Sequence, residues 1–185
     1  ILIFLFFAFS SLGGVKAADS PVLMGCNNFP PSKIQENKNG LPGFVVEFIE
    51  EIFIRIKRPV IIDFLPWKRV LRNVKSGQMD GLCSCSPTKE RETFFLYSDP
   101  LSKTSSGIFV LKKNGSFSIK EPADLPEGKI GVVDGYNLKG HLIKAGKNNI
   151  LNAIDDQSAI KMLARERFKY LYSFAAPIFY YLRNH

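Results

Sequence analysis

The hydrophobic pattern of the chain alternates between two periods. Short apolar runs rich in β-branched residues are separated by segments whose apolar residues recur every three or four positions, which is typical of strands alternating with helices. The strongest helical pattern covers residues 44–56. Its apolar positions form one broad face: Val45, Phe48, Ile49, Ile52, Phe53 and Ile56. The alternation predicts an α/β protein built on parallel sheets.

The predicted elements fall on both sides of a polar break. Strands are predicted at 22–27, 60–64, 80–86 and 107–111 before the break, and at 129–133, 150–154 and 170–174 after it. Helices are predicted at 44–56, from Trp67, at 122–125, 136–145 and 157–165, and from Pro177. The break is the Lys112-Lys113-Asn114-Gly115-Ser116 segment. The sequence therefore predicts a first α/β lobe at 18–111 and a second, partial lobe at 112–185.

Residues 65–100 carry the most chemical information. The pattern predicts a helix from Trp67 that ends at Gly77, followed by an apolar strand ending in hydroxyl-bearing residues. Ser86-Pro87 is typical of a helix start, and Arg91 lies one turn further on. A helix N-terminus with an arginine one turn later is suited to an anionic group, so the stretch predicts a site for a small carboxylate.

Composition and charge exclude several classes of protein. The 185 residues are 45% hydrophobic and 23% charged, which is typical of a globular protein and not of a disordered one. The formal net charge is +8, but the lysines and arginines are scattered. We therefore interpret the basic residues as a solvated surface and expect no nucleic-acid partner.

The N-terminal segment predicts export. Residues 1–15 are apolar or small and uncharged, as in the core of a signal peptide, and Val15-Lys16-Ala17 provides a cleavage site. We expect a signal peptide at 1–17, cleaved near Ala17, and a periplasmic protein. An uncleaved membrane anchor is the alternative. The chain has no initiator methionine, so we expect its beginning to be missing.

Three cysteines in an exported chain allow one disulfide and one free thiol. Cys83 and Cys85 lie two apart on a predicted strand and cannot readily pair with each other, so Cys26 could pair with either. The alternative is three small buried hydrophobic residues. No CxxC motif or Cys/His cluster is present, so we predict no metal site and no cofactor.

Several of these segments together resemble the family 3 extracellular solute-binding proteins. The resemblance is carried by motifs in the family's order: Phe29-Pro30-Pro31, Asn39-Gly40-Leu41-Pro42-Gly43-Phe44, Gly77-Gln78-Met79-Asp80, Thr88-Lys89-Glu90-Arg91 and Ser98-Asp99-Pro100. It implies a two-lobe type II periplasmic binding protein fold, with ligand held in the cleft between the lobes. It also implies a return of the chain to the first lobe after residue 185, so we expect the sequence to be truncated at both ends.

The resemblance also implies roles for individual residues. Arg91, preceded by Thr88, matches the arginine that binds the ligand carboxylate, and Ser84 and Ser86 match the positions flanking that carboxylate. The aromatic walls that pack the ligand are matched by two residues, Phe29 and Trp67. From the residues alone, Arg91 could be an ordinary surface arginine and Trp67 could simply fill the core.

The second half departs from the family pattern at the ligand's ammonium group. The acidic residue that usually pairs with that ammonium is replaced by Phe174, and the turn that usually contacts the carboxylate reads Gly135-Tyr136-Asn137. Tyr136 and Asn137 therefore become candidate ligand-binding residues. Burying an unpaired ammonium costs several kcal/mol, so we expect keto or dicarboxylic acids to bind better than amino acids.

The sequence thus predicts a monomeric binding protein and not an enzyme. We expect it to capture a small, amino-acid-like carboxylate solute and deliver it to an ABC-type membrane transporter. A sensory domain with the same cleft and a signalling partner is the alternative. A dehydratase-like enzyme is less favoured, because Glu90 and Asp99 are the only acidic candidates near the predicted site.

Overall fold

A first, three-stranded sheet is formed by the N-terminal half of the chain. The structure, a computed structural model, describes residues 20–36, 40–115 and 118–184, so the predicted signal peptide lies outside the described residues. The strands are β1 (Val22–Cys26), β2 (Val60–Phe64) and β3 (Gly81–Leu82). They are parallel in the order β2-β1-β3. All three therefore end at the same edge of the sheet.

Two helices connect these strands. The first, α1 (Phe44–Arg55), buries Val45, Val46 and Ile49 against the sheet. The second, α2 (Trp67–Lys75), buries Trp67 and Val70. The positive φ predicted after it is present, with Gly77 at 73°. The two predicted helices are confirmed.

A second, four-stranded sheet is formed by the C-terminal half. Its strands are β4 (Ser106–Phe109), β5 (Ile130–Val133), β6 (Ile150–Ala153) and β7 (Tyr170–Phe174). They lie in the order β4-β7-β5-β6, and β4 is antiparallel to β7. The strand predicted at 107–111 thus lies in the second sheet, and the chain crosses between the sheets before Ser106. The lobe boundary at residue 112 stays a prediction.

Three helices cover the second sheet: α3 (Leu138–Lys144), α4 (Asp156–Ala164) and α5 (Ala175–Asn184). The largest hydrophobic core lies here, around Ile130, Leu142, Tyr170, Leu171 and Ile178. All five residues of β7 are buried, as expected of a central strand covered on both faces. The elements around the first sheet are called the first lobe, and those around the second sheet the second lobe.

The prediction of a helix that begins at Ser86-Pro87 is wrong. Only a short 3₁₀ turn forms, at Arg91–Thr93, and β3 ends at Leu82 instead of continuing to residue 86. Residues 84–88 have no regular structure. Arg91 therefore reaches its position from an irregular loop, and the carboxylate site cannot depend on a helix N-terminus.

A disulfide links the two strands that end beside this loop. Cys26, the last residue of β1, pairs with Cys83, which follows β3. Cys85 is a free, partly buried thiol. The structure thus selects one of the two pairings that the sequence allowed.

In the part of the chain that the structure describes, no helix is both long enough and apolar enough to cross a membrane.

Candidate functional site

The two lobes meet at the turn that follows β5. The carbonyl oxygen of Gly135 in this turn accepts two hydrogen bonds from the first lobe, at 3.0 Å from Trp67 Nε1 and at 2.7 Å from Arg91 Nη2. Trp67 begins α2 directly after β2, and Arg91 follows β3. The cleft therefore lies at the carboxyl ends of the strands, where ligands of open α/β sheets bind.

Arg91 is held in the cleft by backbone groups. Its side chain is among the buried charged groups, with 8% of the residue exposed. Besides Gly135, Nη1 donates to the carbonyl oxygen of Ser86 at 2.9 Å and contacts Cys85 Sγ at 3.3 Å. Thr88 Oγ1 accepts from the Arg91 backbone N–H at 3.2 Å and so fixes the turn. Among the described residues, no carboxylate lies within ion-pair distance of Arg91.

A second buried cation, Lys33, was missed by the sequence analysis. Only 3% of the residue is exposed, and its ammonium donates to Asn27 Oδ1 at 2.8 Å and Ser84 Oγ at 3.0 Å. The ammonium also lies 5.4 Å from the centroid of the Phe29 ring and 5.7 Å from that of Trp67. The two predicted aromatic walls thus flank a lysine.

Burial lowers the pKa of Lys33 from 10.5 to about 8, because desolvation disfavours the charged form. The charges of Cys85 and Asp156 act in the opposite direction and raise it. At neutral pH Lys33 is therefore still mostly an ammonium.

A buried carboxyl lies on the opposite side of the cleft. Asp156, the first residue of α4, is 1% exposed. Its two oxygens accept hydrogen bonds from Tyr136 Oη at 2.6 Å and Ser173 Oγ at 2.7 Å. Burial raises the pKa of Asp156 from 3.8 to about 6, although both hydrogen bonds and the charge of Lys33 oppose that shift. Asp156 is thus the acid that fixes Tyr136 in the cleft.

Three aromatic rings pack together in the wall of the cleft, with Phe174 and Tyr136 from the second lobe and Phe29 from the first. Phe174, at the end of β7, packs edge-to-face on Tyr136 and on Phe29, with centroid separations of 5.1 Å and 5.6 Å. The position that would hold an acidic residue is therefore apolar and buried. Asn137 also lines the cleft, and its buried Oδ1 has no hydrogen-bond partner among the described residues.

Two further contacts join the lobes at the margins of the cleft. Lys68 and Asp134 form an ion pair of 3.0 Å, and Asn28 Nδ2 donates to Tyr181 Oη at 2.9 Å. Together with the bonds to Gly135, these contacts join the two lobes across the cleft.

Seven of the eight predicted site residues line one open groove with a volume of about 1700 Å³. They are Phe29, Trp67, Ser84, Ser86, Arg91, Tyr136 and Asn137. Thr88 does not line the groove, and its Oγ1 accepts from the backbone N–H of Arg91. Lys33 and Asn27 also line the groove. No signal in the sequence identified Lys33 beyond its position two residues after the Phe-Pro-Pro break, because lysines are usually exposed.

Solved structures with the same architecture have low sequence identity to this chain. The arginine-bound form of truncated ArgBP from T. maritima is 21% identical, with a TM-score of 0.78 over 89% of this chain and 78% of that one. An ancestral amino acid-binding protein, a precursor of cyclohexadienyl dehydratase, is 21% identical, with a TM-score of 0.75 over 88% of this chain and 74% of that one. These likenesses establish the type II periplasmic binding protein fold.

A third similar structure comes from a signalling protein. It is a histidine kinase sensor domain with similarity to periplasmic binding proteins, 21% identical, with a TM-score of 0.79 over 89% of this chain and 72% of that one. No curated protein sequence matches the chain significantly.

The family itself is identified by a match to the bacterial extracellular solute-binding proteins, family 3, over residues 22–172. This range includes both sheets except the last two residues of β7, and it includes the cleft residues Lys33, Arg91 and Asp156. The chain belongs to the bacterial extracellular solute-binding proteins, family 3.

Proposed function

We propose that this protein binds a small carboxylate-bearing solute in the interlobe cleft and delivers it, in the periplasm, to an ABC-type membrane transporter. The observation that supports this function best is Arg91, which is buried without a carboxylate partner among the described residues. A guanidinium offers two parallel donors that match the geometry of a carboxylate. A buried cation without a counterion is costly, so such a group favours a site that an anion completes.

Binding in this account requires no chemical step. The Gly135 carbonyl accepts from both Trp67 and Arg91, so the same residues that line the ligand site also join the lobes. A ligand that contacts both lobes stabilises the closed arrangement, because it binds that arrangement better than an open one. The solute would thus be enclosed by lobe closure and released when the lobes separate.

Replacing Arg91 tests the proposal. For the wild-type protein, a ligand at a hundredfold excess over its Kd should stabilise the folded state by about 2.7 kcal/mol, which for a chain of this size raises the Tm by several degrees. We expect Arg91→Ala to abolish the shift produced by carboxylic acids in a thermal denaturation assay. Arg69→Ala, which removes an exposed arginine of α2, is the matched control and should retain the shift.

The ligand-free melting temperature of each variant separates binding from folding. If Arg91→Ala melts cooperatively and carboxylic acids still stabilise it as much as the wild type, Arg91 is not the anchor and the proposal is wrong.

A sensory role for the same cleft is the second candidate. It is favoured by the similarity to a histidine kinase sensor domain at a TM-score of 0.79. The binding step would be the same, and the output would pass to a signalling partner. Co-purification of the membrane partner from cells, with and without ligand, distinguishes a permease from a kinase.

A further inference from the structure

We propose that the solute is a small dicarboxylate, held by Arg91 at one carboxylate and by Lys33 at the other. This inference rests on the proposed function, because it takes the Arg91 site as the first anchor. It adds a second anchor on the same side of the cleft and thereby defines the chemical class of the ligand.

The ammonium of Lys33 has one hydrogen-bond donor that the described residues leave unused. An ammonium carries three N–H donors, and two of them are directed at Asn27 Oδ1 and Ser84 Oγ. The Phe29 and Trp67 rings flank the group, and the residue lines the groove. The remaining donor is therefore available to an oxygen that enters the cleft.

Neither cation of the cleft has a carboxylate within ion-pair distance among the described residues. The three ion pairs found there involve other groups. Asp156 influences Lys33 only across the cleft, and its two oxygens are already engaged by Tyr136 and Ser173. Each of the two buried cations therefore lacks a directly bonded carboxylate, and a ligand with a carboxylate at either end would provide one for each.

The two anchors are close enough for one small molecule to reach both. The Lys33 ammonium lies 5.7 Å from the centroid of the Trp67 ring, and the guanidinium carbon of Arg91 lies 5.8 Å from it. Their separation cannot exceed the sum of these two distances, which a short-chain dicarboxylate can bridge. Both also bond to the segment after β3, through Ser84 and Ser86.

The same arrangement disfavours a free amino acid. Its ammonium would enter a cleft that already holds two cations, and the facing position is the buried ring of Phe174. Like charges repel strongly in a site of low dielectric constant. Selectivity for dicarboxylates over zwitterions thus follows from the charges of the cleft.

Calorimetric titration at neutral pH tests the second anchor with three probes: glutarate, butyrate and glutamine. We expect the wild type to bind glutarate about tenfold more tightly than butyrate or better, with glutamine the weakest. Lys33→Met should lower the affinity for glutarate by about tenfold or more and leave that for butyrate within about threefold. Lys144→Met, which removes an exposed lysine of α3, should change neither.

The outcomes separate the two proposals. If Arg91→Ala abolishes binding of both acids while Lys33→Met leaves glutarate unaffected, the carboxylate site stands and the dicarboxylate inference is overturned. An equal loss of both acids in Lys33→Met also overturns it, since Lys33 would then only support the cleft. If Lys33→Met does not fold, Lys33→Gln replaces it in the same titrations, and the wild type provides a second test. Equal affinities of the wild type for glutarate and butyrate overturn the inference. If the wild type binds none of the acids, or prefers glutamine, the inference fails; in the first case the proposed function fails with it.

Discussion

At the scale of single residues, the cleft holds groups that a folded chain does not need for its stability. Lys33 and Arg91 are both buried, and each is bonded to neutral oxygens without a carboxylate partner among the described residues. Hydrogen bonds to neutral groups recover part of the cost of desolvating a cation, but not all of it. We therefore expect these residues to reduce the stability of the ligand-free protein while they increase its affinity for an anion.

The pKa of Lys33 makes this cost measurable. Since that pKa is about 8 in the folded protein and ordinarily 10.5, the unfolded chain binds more protons between these values. The destabilisation by charged Lys33 is therefore complete below about pH 8 and disappears as the pH rises toward 10.5. Relative to Lys33→Met, the wild type should gain about 2 kcal/mol of stability between pH 7 and pH 10.

Urea denaturation of the wild type and Lys33→Met between about pH 7 and pH 10 measures the difference in their unfolding free energies. The contributions of the other titrating groups largely cancel in this difference. Cys85 and Asp156, whose charges act on Lys33, remain in both proteins. For the exposed Lys144→Met variant, the difference in unfolding free energy from the wild type should not change with pH. A pH-independent difference for Lys33→Met would mean that Lys33 is not desolvated in solution.

At the scale of elements, the disulfide fixes the two strands that carry the anion site. Cys26 ends β1 and Cys83 follows β3, directly before Ser84. The bond closes a loop with a sequence separation of 57. The chain-entropy model assigns such a loop about 4 kcal/mol of stabilisation.

Removing both cysteines tests this contribution. We expect the Cys26→Ala, Cys83→Ala double variant to lose about 4 kcal/mol of unfolding free energy in urea denaturation. Cys85→Ala removes the free thiol and should change the unfolding free energy by less than about 1 kcal/mol, since it leaves the disulfide intact. Equal stability of the double variant and the wild type would show that the pairing does not constrain the chain.

The elements themselves could largely be predicted from the sequence. The strand at 170–174 was predicted with its observed bounds, and the helix at 44–56 differs from α1 only at its last residue. A short run rich in apolar and aromatic residues and an apolar period of 3.6 residues are both local signals. The loop from Ser84 to Thr88 gave no such signal, and Ser-Pro was interpreted as a helix start where only a 3₁₀ turn follows. Local capping residues favour a helix, but tertiary contacts of Arg91 with Ser86 and Gly135 determine the conformation here.

Some residues of the candidate site could be predicted from the sequence, and others could not. The resemblance directed attention to Arg91, Trp67 and Phe29, and all three line the groove. Lys33 and Asp156 were not anticipated, because burial of a charged side chain depends on contacts between segments distant in sequence: Lys33 with Ser84, and Asp156 with Tyr136 and Ser173.

At the scale of the whole molecule, Gly135 lies where the two lobes meet. Its φ is 82°, and a Cβ there would lie 3.2 Å from Trp67 Cδ1 and 3.3 Å from Lys68 Cα on the opposite lobe. Gly135→Ala should therefore both strain the backbone and hold the lobes apart. We expect it to weaken ligand binding by about tenfold, because a smaller fraction of the molecules can close.

Gly146→Ala is the matched control for the backbone effect. Its φ is 75°, and a Cβ there would meet no atom within 4 Å. Both variants should lose about 1–2 kcal/mol of stability from the left-handed conformation, but only Gly135→Ala should lose affinity in a calorimetric titration. If both variants bind equally well, the contact at Gly135 is not required for binding.

An anion held between Arg91 and Lys33, at the ends of β1 and β3, would be seen in a crystal structure of the protein grown with glutarate. We predict one carboxylate within hydrogen-bond distance of the Arg91 guanidinium and the other within hydrogen-bond distance of Lys33 Nζ, with Tyr136 on the opposite side. Glutarate bound elsewhere, with the Arg91 and Lys33 side chains making no contact with it, would show that these two residues do not hold the anion.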